Sequence, residues 1–263
     1  MSALPTPAIP QSQPAPPLYP RGLALVAGMA SGMSGFEVAY EHYRGSYSNK
    51  IMWAPVILSQ LVGGAGVAAA IRPTPVFKAA LQVSSATTLA FCATGFVFHL
   101  RGISRKPGGW SLMIPNVAMG PPPFAPLLFG MAAYIGLLAD SPRLARHLPV
   151  ITGCCALASG TEALYSHYKN NFRYLAQWSP IVSALFLAAA AFKYRRLLPA
   201  ASATAIGVGH VGLFYHARGV LRRPGGRKNL LYNIMYGPPI LAPLLFASCG
   251  FLGALSCLLR RRA

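Results

Sequence analysis

The stretch HLRGISRKPGG at residues 99–109 recurs as HARGVLRRPGG at residues 216–226. The match continues at the same offset of 117 residues through Asn116 and Asn233 and through the GPP and APLLF segments that follow them. Over residues 99–129, 16 of 31 aligned positions are identical, whereas chance gives about two at average residue frequencies. The chain therefore contains an internal duplication, and a duplication of this length defines the architecture.

A second pair of motifs lies upstream in each copy. The pattern ExxYxHY at residues 37–43 and the pattern WxP at residues 53–55 recur 125 residues later, at 162–168 and 178–180. Lipid-facing positions need only be apolar, but the identities are mostly polar or small residues. We therefore expect both copies to preserve the same kind of site.

The composition indicates a membrane protein. Of the 263 residues, 54% are apolar and 10% are charged, whereas a soluble domain has about a quarter charged residues. Lys and Arg number 23 against 4 Asp and Glu, which gives a net charge of +19. These cations lie in short clusters between apolar runs and do not form one polar face, so we expect a lipid bilayer and no nucleic acid as partner.

Eight apolar runs are about 20 residues long, the length that crosses about 30 Å of hydrocarbon. They cover residues 22–43, 51–71, 77–100, 120–139, 147–167, 174–194, 198–217 and 237–259. We predict an all-α integral membrane protein with about eight transmembrane helices in two tandem, parallel four-helix repeats. The predicted segments are a proline-rich disordered tail at 1–21, repeats at 22–139 and 147–259, a linker at 140–146 and a basic tail at 260–263.

The orientation follows from the even number of spans in each copy. Both copies then enter the membrane in the same direction, and four histidine-bearing helix ends reach one face, which we call the histidine face. These histidines are His42, His99, His167 and His216. Cations divide 12 to 11 between this face and the opposite one, so the positive-inside rule does not decide. Because Arg195 and Arg196 on the opposite face suit topological anchors, we expect cytoplasmic termini in a bacterial inner or other energy-transducing membrane.

Ionisable residues inside spans are candidate functional residues. The candidate metal ligands are His42, His99, His167, His216, Glu37 and Glu162. A glycine lies on the same helical face as each histidine, at Gly35, Gly95, Gly160 and Gly212. Two such faces would enclose a haem b with bis-histidine ligation, and nearby arginines would pair with its propionates. Those arginines are Arg101, Arg105, Arg218 and Arg222.

Two alternatives to haem remain open for these residues. One is a non-haem metal held by Glu37 with His99 and by Glu162 with His216. The other is a structural role, since glycines allow close helix packing and interfacial histidines and tyrosines anchor helix ends. We also expect each glutamate to accept hydrogen bonds from a matched tyrosine, such as Tyr40, from a tryptophan or from a loop arginine.

The RGxxRxPGG loops suit an anionic ligand or a lipid headgroup, because they combine cations with free backbone N–H groups. Three functions follow. The first is a haem-binding electron-transfer subunit with a redox partner; the second is a parallel-repeat transporter or channel that uses Glu37 and Glu162. The third is an anchor or scaffold for a protein that docks on the basic face. Hydrolase chemistry has little support because Asp140 is the only aspartate, and whether the protein is an enzyme stays open.

Overall fold

The computed structural model describes residues 18–260, and this part of the chain is helical with no β-strand. The predicted tails lie largely outside the described residues: 1–17 at one end and 261–263 at the other. Ten α-helices are present in the described range. They are α1 Leu18–Arg44, α2 Trp53–Ile71, α3 Pro75–Ser104, α4 Met113–Ala118, α5 Ala125–Leu137, α6 Pro142–Tyr168, α7 Ser179–Phe192, α8 Leu198–Leu221, α9 Leu230–Tyr236 and α10 Ala242–Arg260.

Local chemistry explains where the helices begin. The Thr74 hydroxyl oxygen accepts a hydrogen bond from the N–H of Phe77 at 3.3 Å, which caps α3, and a proline occupies its first turn. The fourth predicted span starts at residue 120, but α5 begins five residues later because prolines disfavour helical geometry in the residues before them. Pro126 lies in the first turn of α5, where its missing N–H has no helical partner to lose.

Five helices are long and apolar enough to cross a membrane, which fits an integral membrane protein. They are Pro20–Arg44, Lys50–Ile71, Pro75–Ser104, Leu175–Phe192 and Arg195–Leu221. Two of the other predicted spans correspond to shorter apolar helices, Ala125–Leu137 and Ala242–Leu258. The remaining one corresponds to α6, which has 27 residues and is more polar. Large apolar side chains on the outer surfaces, such as Val76 at 73% exposure and Phe36 at 61%, suit contact with lipid tails.

Small residues bring α1 and α2 into backbone contact. A Cβ atom added at Gly66 would lie 2.7 Å from the carbonyl oxygen of Ala24 and from the Cα of Gly28, which no side chain tolerates. This close approach is typical of helices in lipid, where association depends on packing. One continuous core, rich in alanine and leucine, then joins α1 and α2 to α6, α7 and α10.

The order of the α-helices in residues 18–137, the first half, recurs in residues 142–260, the second half, which has one additional 3₁₀ turn between α7 and α8. In each half two long helices are joined by a 3₁₀ turn, a third long helix follows, and a 3₁₀ turn and a short helix precede the last helix. Helix α3 packs against α5, and α8 packs against α10. Across the halves, α1 packs against α10 and α5 packs against α6, so the first helix of each half contacts the last helix of the other.

Candidate functional site

The chain turns back after α3 and runs beside the end of that helix. Nδ1 of His99 lies 2.6 Å from the carbonyl oxygen of Pro122, and because a carbonyl only accepts, this nitrogen must carry the hydrogen. His216 makes the same bond to Pro239 at 2.5 Å in the second half. Each histidine therefore satisfies a carbonyl of a proline segment that has no helical partner of its own.

Glycines allow this segment to approach the helix. A Cβ added at Gly102 would lie 2.9 Å from Cγ of Pro121, and one added at Gly219 would lie 3.2 Å from Cγ of Pro238. Since α5 is 13 residues long, it spans only about 20 Å at 1.5 Å per residue. A non-helical segment thus packs against the end of α3 before α5 begins, and another packs against α8 before α10 begins.

Asparagines close the PGG turns that precede these segments. The side-chain amide of Asn116 donates to the carbonyls of Pro107 at 3.0 Å and Gly109 at 2.8 Å. Asn233 makes the matching bonds in the second half, at 3.3 and 3.1 Å. Gly108 and Gly109 have φ values of 75° and 49°, a left-handed conformation that explains why both halves need glycine there.

Glu37 joins the two halves. Its side chain is 9% exposed and accepts a hydrogen bond from the Tyr40 hydroxyl, which confirms the expected tyrosine donor. Its Oε1 also accepts from the N–H of Leu241 at 2.5 Å. Leu241 precedes α10, whose first N–H groups have no partner within their own helix. A carboxylate from α1 thus caps a helix of the other half.

Glu162 occupies the matching position in the second half. It lies beside the N–H groups of Phe124 and Ala125 at the start of α5 and beside the hydroxyl of Tyr165. However, its Oε1 atom and the Tyr165 hydroxyl have no hydrogen-bond partner within residues 18–260. One carboxylate oxygen of Glu162 is therefore without a partner in this range, whereas both oxygens of Glu37 accept a hydrogen bond.

His42 and His167 end the first helix of each half beside an aromatic stack. The ring of His42 lies edge-on to Tyr47 at 6.1 Å, and Tyr47 stacks on Trp53 at 4.0 Å. In the second half the centroids of His167 and Phe172 are 6.4 Å apart, and Phe172 stacks on a tryptophan at 4.2 Å. Nδ1 of His42 also bonds to the Met52 carbonyl at 2.7 Å. Both histidines thus stabilise the turn that follows their helix.

The two histidines of each half lie near one another. His42 is a neighbour of His99, and His216 is a neighbour of His167. In the part of the chain that the structure describes, no group of three or more His, Cys, Asp or Glu side chains could hold a metal ion. Each half therefore offers two imidazoles, but not the mixed ligand set that a non-haem metal prefers.

The four glycines expected to line a haem face contact neighbouring helices. A Cβ added at Gly95 would lie 3.6 Å from Pro126, and one at Gly212 would lie 2.9 Å from Pro243. Gly35 packs against Ser59, and Gly160 packs against Ala184. These contacts fill the helical faces on which a flat macrocycle would need space.

The loop arginines point away from this network. All four are exposed: Arg101, Arg105, Arg218 and Arg222. Within the described residues, the ion pairs are Arg44–Glu41 and Lys78–Asp140, and neither includes one of these arginines. The expected arginine partner of the glutamates is therefore replaced by backbone N–H groups.

Several residues that make contacts in this site are not identical in the two halves, so the sequence comparison did not identify them. Tyr47 and Phe172 differ in identity, and only their shared aromatic character at the 125-residue offset marks them. Phe124 and Leu241 act through backbone N–H groups, so any residue with an N–H serves. Comparison with protein families, curated proteins and solved structures gives no match, so the proposed function depends on this geometry.

Proposed function

We propose that the protein is a parallel-repeat membrane transporter or channel in which Glu37 and Glu162 bind the transported or coupling cation, a proton being the simplest. The contact of Glu37 with the start of α10 is the observation that supports this function best. In many transporters, helices interrupted within the membrane present their ends to the substrate or coupling ion. Here both interrupted segments meet a titratable carboxylate from the other half.

The position of the carboxylates supports this proposal. Glu37 is seven residues before the end of α1, which places it about 10 Å inside the helix end. A carboxylate at that depth is costly unless it is hydrogen-bonded or takes up a cation. Protonation would weaken its hold on the Leu241 N–H, so cation binding and the contact between the halves are coupled.

The membrane arrangement belongs to the same proposal. We propose eight spans, with α5 and α10 completed by the non-helical segments before them and α6 crossing despite its polar residues. The two halves are then parallel repeats with cytoplasmic termini in an energy-transducing membrane. Non-helical backbone is tolerated at membrane depth only where protein or water satisfies it, and His99 and His216 bond to carbonyls there.

Reconstituted vesicles with a trapped pH-sensitive dye test the proposal. With an imposed potential and proton, Na⁺ or K⁺ gradients in turn, we expect wild-type protein to conduct at least one cation. The double variant Glu37→Gln with Glu162→Gln should lower the rate at least tenfold. Glu41→Gln is the matched control, because Glu41 lies on the same helix but pairs with Arg44 at the surface. Absent wild-type flux, or unchanged flux in the double variant, would contradict the proposal.

A haem-binding electron carrier is the second candidate, favoured by the imidazole pairs. Ligating histidines usually donate their other ring N–H to a carbonyl, as Nδ1 of His42, His99 and His216 does. The imidazoles fit an iron ligand set, whereas the glycine faces do not fit a macrocycle because helices cover them. A bound haem would supply one-electron redox chemistry, while the protein would hold its iron through Nε2 atoms.

An absorption spectrum of the purified protein decides this second candidate. A haem should give a Soret band that weakens in His99→Ala and His216→Ala but not in His147→Ala, since His147 is exposed and has no counterpart in the other half. A colourless, iron-free protein would exclude the candidate without affecting the carboxylate proposal.

A further inference from the structure

A cavity of about 360 Å³ lies on the histidine face, where the end of α1 meets α9 of the other half. It is lined by Tyr43, Arg44, Ser46, Tyr47 and Tyr236. The guanidinium of Arg44 lies 5.9 Å from the centre of the Tyr236 ring. We propose that this cavity binds a phosphate-bearing anion, with Arg44 as its direct ligand and the hydroxyls of Tyr43 and Tyr236 as further donors.

The backbone holds this cavity open at a strained turn. Ser46 and Tyr47 have φ values of 58° and 45°, which non-glycine residues adopt at a cost of about 1–3 kcal/mol each. The Ser46 N–H bonds to the Tyr43 carbonyl at 2.8 Å and the Tyr47 N–H to the His42 carbonyl at 3.0 Å. This hydrogen-bonded end of α1 fixes the direction in which Arg44 leaves the helix.

Arg44 retains donors for a ligand. Glu41 accepts from Nη1 of Arg44 at 2.8 Å, and both side chains are 40% exposed or more. Such exposed ion pairs contribute at most about 1 kcal/mol to the free energy of unfolding. A guanidinium has five N–H donors in a planar fork that matches phosphate oxygens, so a phosphate can bind beside Glu41 or displace it.

Two other cations lie near residues of the cavity. Arg223 lays its Cδ over Gly237, the neighbour of Tyr236, and its buried Nε has no hydrogen-bond partner in the described range. Lys169 occupies the position in the second half that matches Arg44. Burial lowers the pKa of Lys169, the charges of Glu41 and Glu162 oppose this shift, and the charges of Arg44 and Lys106 add to it.

The charge arrangement therefore favours an added anion. Four cations, Arg44, Lys106, Lys169 and Arg223, lie near two carboxylates, the exposed Glu41 and the buried Glu162. Because the cations outnumber the carboxylates, this part of the protein attracts an added anion. A phosphate diester of a lipid headgroup and free phosphate share this chemistry, and both reach a cavity at a membrane face.

Thermal unfolding of the full chain in detergent tests the site. We expect sodium phosphate, compared with chloride at equal ionic strength, or short-chain phosphatidylglycerol, compared with phosphatidylcholine, to raise Tm in a saturable manner. A shift with phosphate alone identifies a free anion, and a shift with phosphatidylglycerol alone identifies a headgroup. Arg44→Gln should weaken the apparent affinity at least tenfold, whereas Lys50→Gln, an exposed cation on the same face, should not.

Two results would overturn the proposal. One is a wild-type Tm that responds to neither anion, and the other is an equal affinity in wild type and Arg44→Gln. If Arg44→Gln does not fold, Tyr236→Phe decides, because it removes a hydroxyl from the cavity and leaves the helix packing intact. We then expect a severalfold loss of affinity, and an unchanged affinity would also reject the site.

Discussion

The two halves of the molecule share their motifs but differ in how tightly those motifs are used. Glu37 is buried and bonds to Tyr40 and to Leu241 at the start of α10. Glu162 has the same neighbours by position, yet its Oε1 atom is without a partner in residues 18–260. The matched motifs therefore take matching positions in the two halves. The hydrogen bonds of the two glutamates differ, because they depend on how the other half packs against each glutamate.

Two other motifs are closely alike in the two halves. The histidine bonds to Pro122 and Pro239 differ by 0.1 Å, from 2.6 to 2.5 Å, and both asparagines close the same turn. These contacts lie within one half, whereas each glutamate depends on a helix of the other half. The asymmetry is thus concentrated at the contact between the halves, where a transporter would move.

The largest expected effect on stability concerns the two glutamates, where the halves differ. Glu37→Ala should cost about 3 kcal/mol, because it removes two hydrogen bonds and leaves a buried N–H without a partner. Glu162→Ala should cost about 1 kcal/mol, since fewer bonds are lost. Unfolding free energies from denaturant titration in detergent check both values. Glu41→Ala, which removes an exposed pair, should cost less than 1 kcal/mol, and equal costs for Glu37 and Glu162 would contradict the asymmetry.

The next effect concerns one close helix contact in each half. Gly66→Ala should cost about 2 kcal/mol, because its Cβ would meet backbone atoms of α1 at 2.7 Å that cannot move independently. At Gly153 in the second half, a Cβ would meet the ring of Phe192, which is 45% exposed and can turn away. Gly153→Ala should therefore cost less than 1 kcal/mol.

Gly64 provides the control for this pair. A Cβ added there meets nothing within 4 Å, so Gly64→Ala should be neutral or stabilising through helix propensity. The same unfolding measurement applies to all three variants. A Gly66→Ala protein as stable as Gly64→Ala would show that α1 and α2 do not approach as closely as the structure has them.

The sequence predicts part of the fold and of the site, because contact with lipid requires apolar residues and a duplicated site requires matching polar residues. Apolar runs indicated the apolar helices, and the duplicated polar motifs indicated which residues make matching contacts in the two halves. Helix starts were less predictable: the segments before Ala125 and Ala242 are apolar, so hydropathy alone did not separate them from α5 and α10. The count of eight spans stays a prediction.

The partners of the glutamates were only half predictable. Tyr40 lies three residues from Glu37 on one helix, so helical geometry brings them together. The N–H of Leu241 is a backbone group more than 200 residues away, and no side-chain pattern marks it. Contacts between halves that use backbone atoms therefore need a structure, whereas contacts within a helix do not.

The smallest expected effect concerns the aromatic stacks that both halves contain. Tyr47→Leu and Phe172→Leu should each lose an aromatic stack with a tryptophan, worth about 1 kcal/mol. Tyr47 differs from Phe172 only in its hydroxyl, which donates to the Ala39 carbonyl at 2.8 Å. Tyr47→Phe should cost about 0.5–1 kcal/mol for that bond, and the remaining cost of Tyr47→Leu should then equal that of Phe172→Leu. If these two costs differ by more than about 1 kcal/mol, the two stacks contribute unequally to stability. The asymmetry of the halves would then extend beyond the glutamates to the turns that position Arg44 and Lys169.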